Sequence, residues 1–254
     1  MKNDLFTLKG KIAVVTGGFR GIGKTVARYL ADAGANIVIF DLFDADEVAK
    51  EIENEFNVQT MSCVCDVTNP DQVKSCFDKV IATLGTPDIL FNNAGIGPHK
   101  DALEVSPSEW LKVIDVNLNG MFYVATEFAR RVIEDSKKAS IINTASMSGL
   151  IVNIPQKQAS YNASKAAIIH LTKTLAVEWA QHGIRVNSIS PGYIATDLIA
   201  NVDPVMRKEW TDMIPFKRMG TPEELAGAVI YLASEASSYT SGCNLVIDGC
   251  YTVV

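Results

Sequence analysis

The chain has 254 residues, enough for one large α/β domain or two small ones, and for a substantial buried core in either case. A hydrophobic content of 48% and a charged content of 20% are those of an ordinary globular protein. A net charge of −6, from 23 basic and 29 acidic residues with no strongly basic run, gives no electrostatic footing for nucleic acid or an anionic membrane. No apolar run approaches the roughly 18 residues of a spanning helix, and the start MKNDLFTLKGKIAVVTGG lacks the apolar centre of a signal peptide. The expected location is therefore cytoplasmic. Five cysteines (Cys63, Cys65, Cys76, Cys243, Cys250) show neither C-x-x-C spacing nor a companion His cluster, which points to reduced structural thiols and no metal.

In chain order, KIAVVTG, NIVIFD, VQTMSCVCD, PDILFNNAG, ASIINTAS, IRVNSISPG and CNLVIDG read as strands, several too uniformly apolar for a sheet with one wet face. Segments such as GIGKTVARYLADAGA and SYNASKAAIIHLTKTLAVEWAQHG carry helical spacing and end at glycines. In the second, Ala163, Ala167, Leu171, Leu175 and Trp179 form one stripe, suited either to the sheet or to a partner, and Gly183 supplies the stop. Strands alternating with helices imply βαβ units. The expected fold is α/β: a single Rossmann domain over 1–254, with a doubly wound parallel sheet of about seven strands covered by helices on both faces. No repeat, low-complexity tract or linker divides the chain.

The first strand runs into Thr16-Gly17-Gly18-Phe19-Arg20-Gly21-Ile22-Gly23 and a helix follows. Glycines there allow a tight turn and close approach of a pyrophosphate, whose charge a helix N-terminus stabilises. Asp41, closing the second strand, can accept hydrogen bonds from an adenosine ribose and repel a 2′-phosphate, which favours NAD over NADP. Arg20 argues the other way, because a guanidinium can pair with that phosphate. Asp44 and Asp46 add negative charge to the following turn. Asp66 and Val67, ending the third strand, are placed to meet the adenine edge, or Asp66 caps the next helix near Asn69. In Asn92-Asn93-Ala94-Gly95 small residues allow close approach of a cofactor, while Asn92 serves equally to tie strands together.

Tyr161 and Lys165 stand four apart and so share one helix face. A free tyrosine has a pKa of about 10, and a neighbouring ammonium favours its charged form, which would tune it for proton exchange with an alcohol.

Taken together, TGGFRGIG, Asp66, NNAG, Asn117, Ser146, Tyr161, Lys165, SPGYIATD and LVIDG resemble the short-chain dehydrogenase/reductase family, in its one-domain form, over almost the whole chain. The resemblance implies a catalytic set of Asn117, Ser146, Tyr161 and Lys165. Tyr161 is then the acid/base and Ser146 steadies the substrate oxygen. Lys165 lowers the tyrosine pKa and holds the nicotinamide ribose, and Asn117 binds a water on the proton path. Asn117 read by itself is also a helix-kink residue, and Ser148 is the rival to Ser146. The resemblance further implies cofactor contacts from Gly17, Arg20, Gly21, Ile22, Gly23, Asp41, Asp66, Val67, Asn93, Ala94, Gly95, Tyr161, Lys165, Pro191, Gly192, Ile194 and Thr196. Its members usually form homotetramers or dimers, and a homotetramer is expected here.

The 14 residues between Ser146 and Tyr161 border the substrate pocket in this family, and here they carry Ser148, Asn153, Gln156 and Gln158. Hydroxyl and amide groups suit a polyhydroxylated ligand. The string SMSG-x-IVN-x-PQ and the end DGCYTVV resemble the family's polyol dehydrogenases and sugar reductases, such as mannitol, sorbose, galactitol or arabinitol enzymes. The expected substrate is a polyol or ketose, with Ser146, Ser148, Asn153, Gln156 and Tyr161 as contacts. A gluconate-type keto acid, a 3-oxoacyl thioester or a small ketone is the alternative, and a non-catalytic NAD-binding sensor a more distant one. His99 either lines the same pocket or is an exposed loop residue. The stretch DLIANVDPVMRKEWTDMI is a lid, a packed surface helix, or both.

Overall fold

The computed structural model describes residues 5–196 and 202–254. Seven parallel strands form one sheet in the order β3-β2-β1-β4-β5-β6-β7. They are β1 (Ile12–Thr16), β2 (Asn36–Asp41), β3 (Thr60–Val64), β4 (Ile89–Asn92), β5 (Ala139–Thr144), β6 (Ile184–Pro191) and β7 (Asn244–Ile247). Every strand read from the sequence is present. PDILFNNAG shortens most, to the four residues of β4; VQTMSCVCD, as β3, lies at the sheet edge and pairs with β2 alone.

Side chains alternate across the sheet, so neighbours in β1 go to opposite layers. Val15, Ile37 and Ile39 pack on one face with Val26 and Leu30 of α1 (Gly21–Asp32), Ile52 of α2 (Asp46–Phe56) and Val229 of α8 (Glu223–Ala233). Val14, Val38 and Phe40 pack on the other with Phe77 of α3 (Pro70–Thr83), Phe128 of α5 (Met121–Glu134) and Leu175 of α6 (Ala159–Trp179). Phe40, Phe77 and Phe128 form an edge-on aromatic series in this layer, with centroids 5.2 and 6.3 Å apart. Cys63, Cys65 and Cys76 are free thiols buried there, while free Cys243 and Cys250 are exposed.

The buried face of α6 differs from the expected stripe. Ser160, Ser164, Ile168, Thr172, Leu175 and Ala176 face inwards, whereas Ala163 is exposed and Ala167, Leu171 and Trp179 are half-buried. The inward face is set by small polar residues that let the helix approach the ends of the strands, which a count of apolar positions does not detect. Gly183 ends the helix in a left-handed conformation, as expected.

Between α4 (Pro107–Ile114) and α5 the helix widens into a π turn, Asp115–Gly120, which contains Asn117. Such turns re-aim side chains within a continuous helix. The helix passes tightly there: a Cβ on Gly120 would sit 2.7 Å from the Val67 side chain. Asn69, not Asp66, caps α3, accepting from the Asp71 and Gln72 amides. Asp66 instead closes its own turn through Thr68. Of the proposed lid, Asp197–Asn201 lie outside the described residues; the remainder includes α7 (Pro204–Met213), a packed helix capped by Asp203. Among the described residues, no helix is long and apolar enough to cross a membrane, and no His, Cys, Asp or Glu group is placed to hold a metal ion.

Candidate active site

In a doubly wound sheet the crevice opens at the carboxyl ends of the strands, where the strand order reverses. Here the reversal lies between β1 and β4, and a cavity of about 1150 Å³ opens above it. The glycine turn lies at one end of this cavity; Ser146, Tyr161, Lys165 and Gln156 also line it.

The glycine turn has the form a pyrophosphate requires. Gly17 and Gly21 take positive φ of 66° and 57°. A Cβ on Gly23 would lie 2.0 Å from the Gly17 carbonyl oxygen, so the helix start and the turn are in contact. Helix α1 begins with no side-chain cap and no acidic residue in its first turn, leaving its amides and dipole for an anion. Asp41 accepts from the Phe19 amide at 3.0 Å and the Phe43 amide at 3.1 Å, tying the turn to the loop after β2. Arg20 is exposed, lines the cavity and makes no ion pair among the described residues. Asp66, Val67, Asn93, Ala94 and Gly95 line the same cavity, as do Ile22, Pro191, Gly192, Ile194 and Thr196. A nicotinamide dinucleotide fits these residues: glycines where a side chain would collide, an uncapped helix, and a carboxylate at the end of β2.

Thr16 holds the two halves of this floor together. Its hydroxyl accepts from the Asn93 amide at 2.8 Å and the Ala94 amide at 2.9 Å, and donates to Asn92 Oδ1 at 3.3 Å. Asn93 returns its side-chain amide to the Thr16 carbonyl at 3.1 Å. Asn92 donates to the Met121 carbonyl at 2.8 Å, so it binds α5 to the sheet.

Tyr161 and Lys165 lie one turn apart on α6. The Lys165 ammonium donates to the Thr144 carbonyl at 2.7 Å and lies 5.5 Å from the Tyr161 ring centroid. Burial pushes Lys165 down to about 8. Burial also pushes the Tyr161 phenol up, with the neighbouring Ser146 hydroxyl acting against it. Loss of hydration around the phenol is the larger of these two effects. Ser146 sits two residues beyond β5, where its hydroxyl accepts from the Ser148 amide at 3.1 Å and caps a short 3-10 turn, Met147–Gly149. That turn rests directly on α6, since a Cβ on Gly149 would meet the Lys165 carbonyl carbon at 2.7 Å.

Asn117 is fully buried. Its amide donates to the Ile96 carbonyl at 2.9 Å and to Ser164 Oγ at 3.0 Å, and its oxygen accepts from the Ile96 amide at 2.8 Å. It therefore ties the loop after β4 to α6. Gly95 lies between this group and the lysine, because a Cβ there would be 3.2 Å from Asn117 Oδ1 and 3.7 Å from Lys165 Nζ.

Ser148 and Gln156 line the cavity, while Asn153 sits behind it, buried and bonded to Gln158. An aromatic group that sequence order does not reveal completes this end. Trp210 of α7 stacks on Tyr193 with centroids 4.7 Å apart, and the edges of His99 and Tyr251 meet them. These residues come from four distant segments; the sequence offered His99 as a pocket residue and the DGCYTVV end that holds Tyr251, but nothing that joined them to Tyr193 and Trp210. His99 lines the cavity and is pushed down by burial.

The crevice, glycine turn and switch point define a dinucleotide-binding α/β protein. A family model described as enoyl-(acyl carrier protein) reductase matches residues 17–252. The chain is 46% identical to sorbose reductase of Candida albicans, over 98% of this chain and 89% of that protein. It is 44% identical to a probable NADP-dependent mannitol dehydrogenase of Yarrowia lipolytica, over 98% of this chain and 90% of the other. A short-chain type dehydrogenase/reductase from Mycobacterium marinum has a similar crystal structure, with a TM-score of 0.92 at 44% identity, covering 99% of this chain and 98% of that one. The chain belongs to the short-chain dehydrogenase/reductase family and is an oxidoreductase, similar to sorbose and mannitol enzymes of that family.

Lys165 gives a stability prediction. Its folded pKa of about 8 lies below the ordinary 10.5, so the folded protein holds this proton less tightly than the unfolded chain. The buried ammonium subtracts from stability below pH 8, and the penalty fades as pH rises from about 8 towards 10.5. That displacement corresponds to about 3 kcal/mol at most, reduced by the hydrogen bond to Thr144. Lys165→Met is expected to be at least as stable as wild type to urea at neutral pH, with the margin narrowing by about 2 kcal/mol between pH 7 and pH 9.5. A margin independent of pH would contradict the buried-ammonium reading.

Proposed function

We propose that the protein interconverts a secondary alcohol of a polyol and the corresponding ketose, with Tyr161 as acid/base. The observation that carries this is the shared cavity: Ser146, Tyr161 and Lys165 lie between a dinucleotide-type glycine turn and a wall of amide and aromatic groups. The nearby curated relatives named for sorbose and mannitol support the substrate class.

When bound, a nicotinamide dinucleotide supplies the hydride acceptor in oxidation and the hydride donor in reduction. Ser146 orients the substrate oxygen towards Tyr161. In oxidation Tyr161 accepts the hydroxyl proton; in reduction it donates a proton to the developing alkoxide. Lys165, fixed by Thr144, is in reach of a ribose, and Asn117 fixes the loop that backs the cofactor side. Because burial holds the phenol protonated, reduction has its proton donor in place at neutral pH, and oxidation gains as pH rises.

For the cofactor, Asp41 supports NAD. A carboxylate has about four acceptor sites, and the Phe19 and Phe43 amides occupy two, leaving sites for the two hydroxyls of an adenosine ribose. A 2′-phosphate there would face that charge, with Arg20 as its counterweight. The relative named NADP-dependent sides with Arg20.

Tyr161→Phe is expected to lower kcat by about a thousandfold or more while the dissociation constant for cofactor changes little. Wild-type oxidation should rise towards alkaline pH while reduction falls, and turnover retained in the variant would contradict the role of Tyr161. Asp41→Ala should shift the ratio of kcat/KM for NAD over NADP towards NADP by about tenfold. An unchanged ratio would place cofactor choice elsewhere.

A further inference from the structure

Among the described residues, the buried side-chain polar atoms without a partner include Gln156 Oε1, Asn153 Nδ2 and Trp210 Nε1. These three belong to one cluster. Gln156 donates its amide to the Tyr193 hydroxyl at 2.7 Å, Trp210 stacks on the Tyr193 ring, and the Asn153 amide is next to the same hydroxyl. All four side chains are at least nine-tenths buried, and Gln156, Tyr193 and Trp210 line the cavity that holds Tyr161. Leaving a buried donor or acceptor unpaired costs about 1–3 kcal/mol, so a cluster of three calls for a polar ligand group or for water.

We propose that this wall reads the end of the substrate away from the reacting carbon, and that it selects the neutral hydroxymethyl end of a polyol or ketose over a carboxylate at that end. The inference rests on the polyol reading and deepens it. Complementarity of donors and acceptors is the first argument. The indole of Trp210 offers an N–H group and Gln156 offers an oxygen, with the Asn153 amide behind them. A hydroxyl both donates and accepts, so it satisfies both kinds at once; a carboxylate only accepts. Turning the Gln156 amide over exchanges its free oxygen for a free N–H, and a hydroxyl still matches it.

Charge is the second argument. The cations lining the cavity are Arg20 on the glycine turn, Lys100, Lys112 on α4, and Lys165 beside Tyr161. Lys100 is already paired with both oxygens of Glu109. None of the four belongs to the wall, which is built from two amides and two aromatic rings, and His99, whose edge meets Trp210, is pushed towards its neutral form by burial. A carboxylate pressed against it would lose its hydration without gaining a cation, which is a large cost. A hydroxymethyl group loses little, because the amides replace its hydrogen bonds to water.

The test uses the complete enzyme with its cofactor and three substrates: a hexitol, the aldarate of the same carbon skeleton, which has a carboxylate at both ends, and a truncated secondary alcohol of four carbons without further hydroxyls. Wild type is expected to favour the hexitol over the aldarate by about a hundredfold in kcat/KM. Gln156→Leu and Trp210→Phe should each lower kcat/KM for the hexitol about tenfold relative to the truncated alcohol, mainly through KM. Calorimetry of the hexitol against the enzyme with reduced cofactor should show the same weakening, and cofactor titration reports whether each variant is folded. Should Trp210→Phe fail to fold, Gln156→Leu decides alone. An aldarate used as well as the hexitol, or hexitol ratios unchanged in the folded variants, would overturn the wall assignment while leaving the polyol reading intact. Turnover of the truncated alcohol without any of hexitol or ketose would overturn the polyol reading, and the wall assignment with it.

Discussion

The site depends on one hydrogen-bonded junction at the point where the strand order reverses. A parallel sheet that winds outward in both directions from β1 and β4 leaves a gap beyond their carboxyl ends, and the backbone there has no ladder partner. The Thr16 hydroxyl fills that gap, taking two amides from the β4 end and giving one hydrogen bond to Asn92, while Asn93 reaches back to the Thr16 carbonyl. The glycine turn and the loop that backs Tyr161 are therefore a single unit. Gly17 approaches Ala94 so closely that a Cβ would sit 3.1 Å from its Cα.

From this junction the polar groups continue along the ends of the strands. Asn143, Thr144, Asn187, Ser188 and Ser190 are buried where β5 and β6 end. Their partners are the neighbours that fix the site: Thr144 offers its carbonyl to Lys165, Asn143 bonds Thr172 of α6, and Ser188 and Ser190 share Asn244. Helix α6 can then lie close over the strand ends with a lysine on its inner face. The arrangement spends stability on chemistry, since an ammonium in that position is held against its hydration. The same low-dielectric setting pushes the Tyr161 phenol up.

Much of this was legible in the chain. The seven apolar runs are the seven strands because both faces of a parallel sheet are covered, so nearly every residue of a central strand is apolar. The glycine turn and the Tyr161–Lys165 spacing are local patterns, and local patterns survive folding. Three things were not legible. The inward face of α6 is made of Ser160, Ser164 and Thr172, which hydropathy assigns to solvent. The direction of the Tyr161 shift depends on how much water the fold removes, which a four-residue spacing does not report. The wall of Trp210, Tyr193, Gln156 and Asn153 is assembled from separate segments, and only the fold brings α7 over the loop before α6. Asn153 is an example: it is buried and bonded to Gln158 but does not itself line the cavity.

In the proposed reaction a secondary hydroxyl of a polyol is oxidised at this site. The most direct measurement is to incubate the protein with oxidised cofactor and C4 to C6 polyols, follow cofactor reduction by absorbance, and identify the product by carbon NMR. One ketose is expected for each cofactor reduced. Formation of an aldose, or no cofactor reduction with any polyol while a simpler carbonyl is reduced, would contradict it.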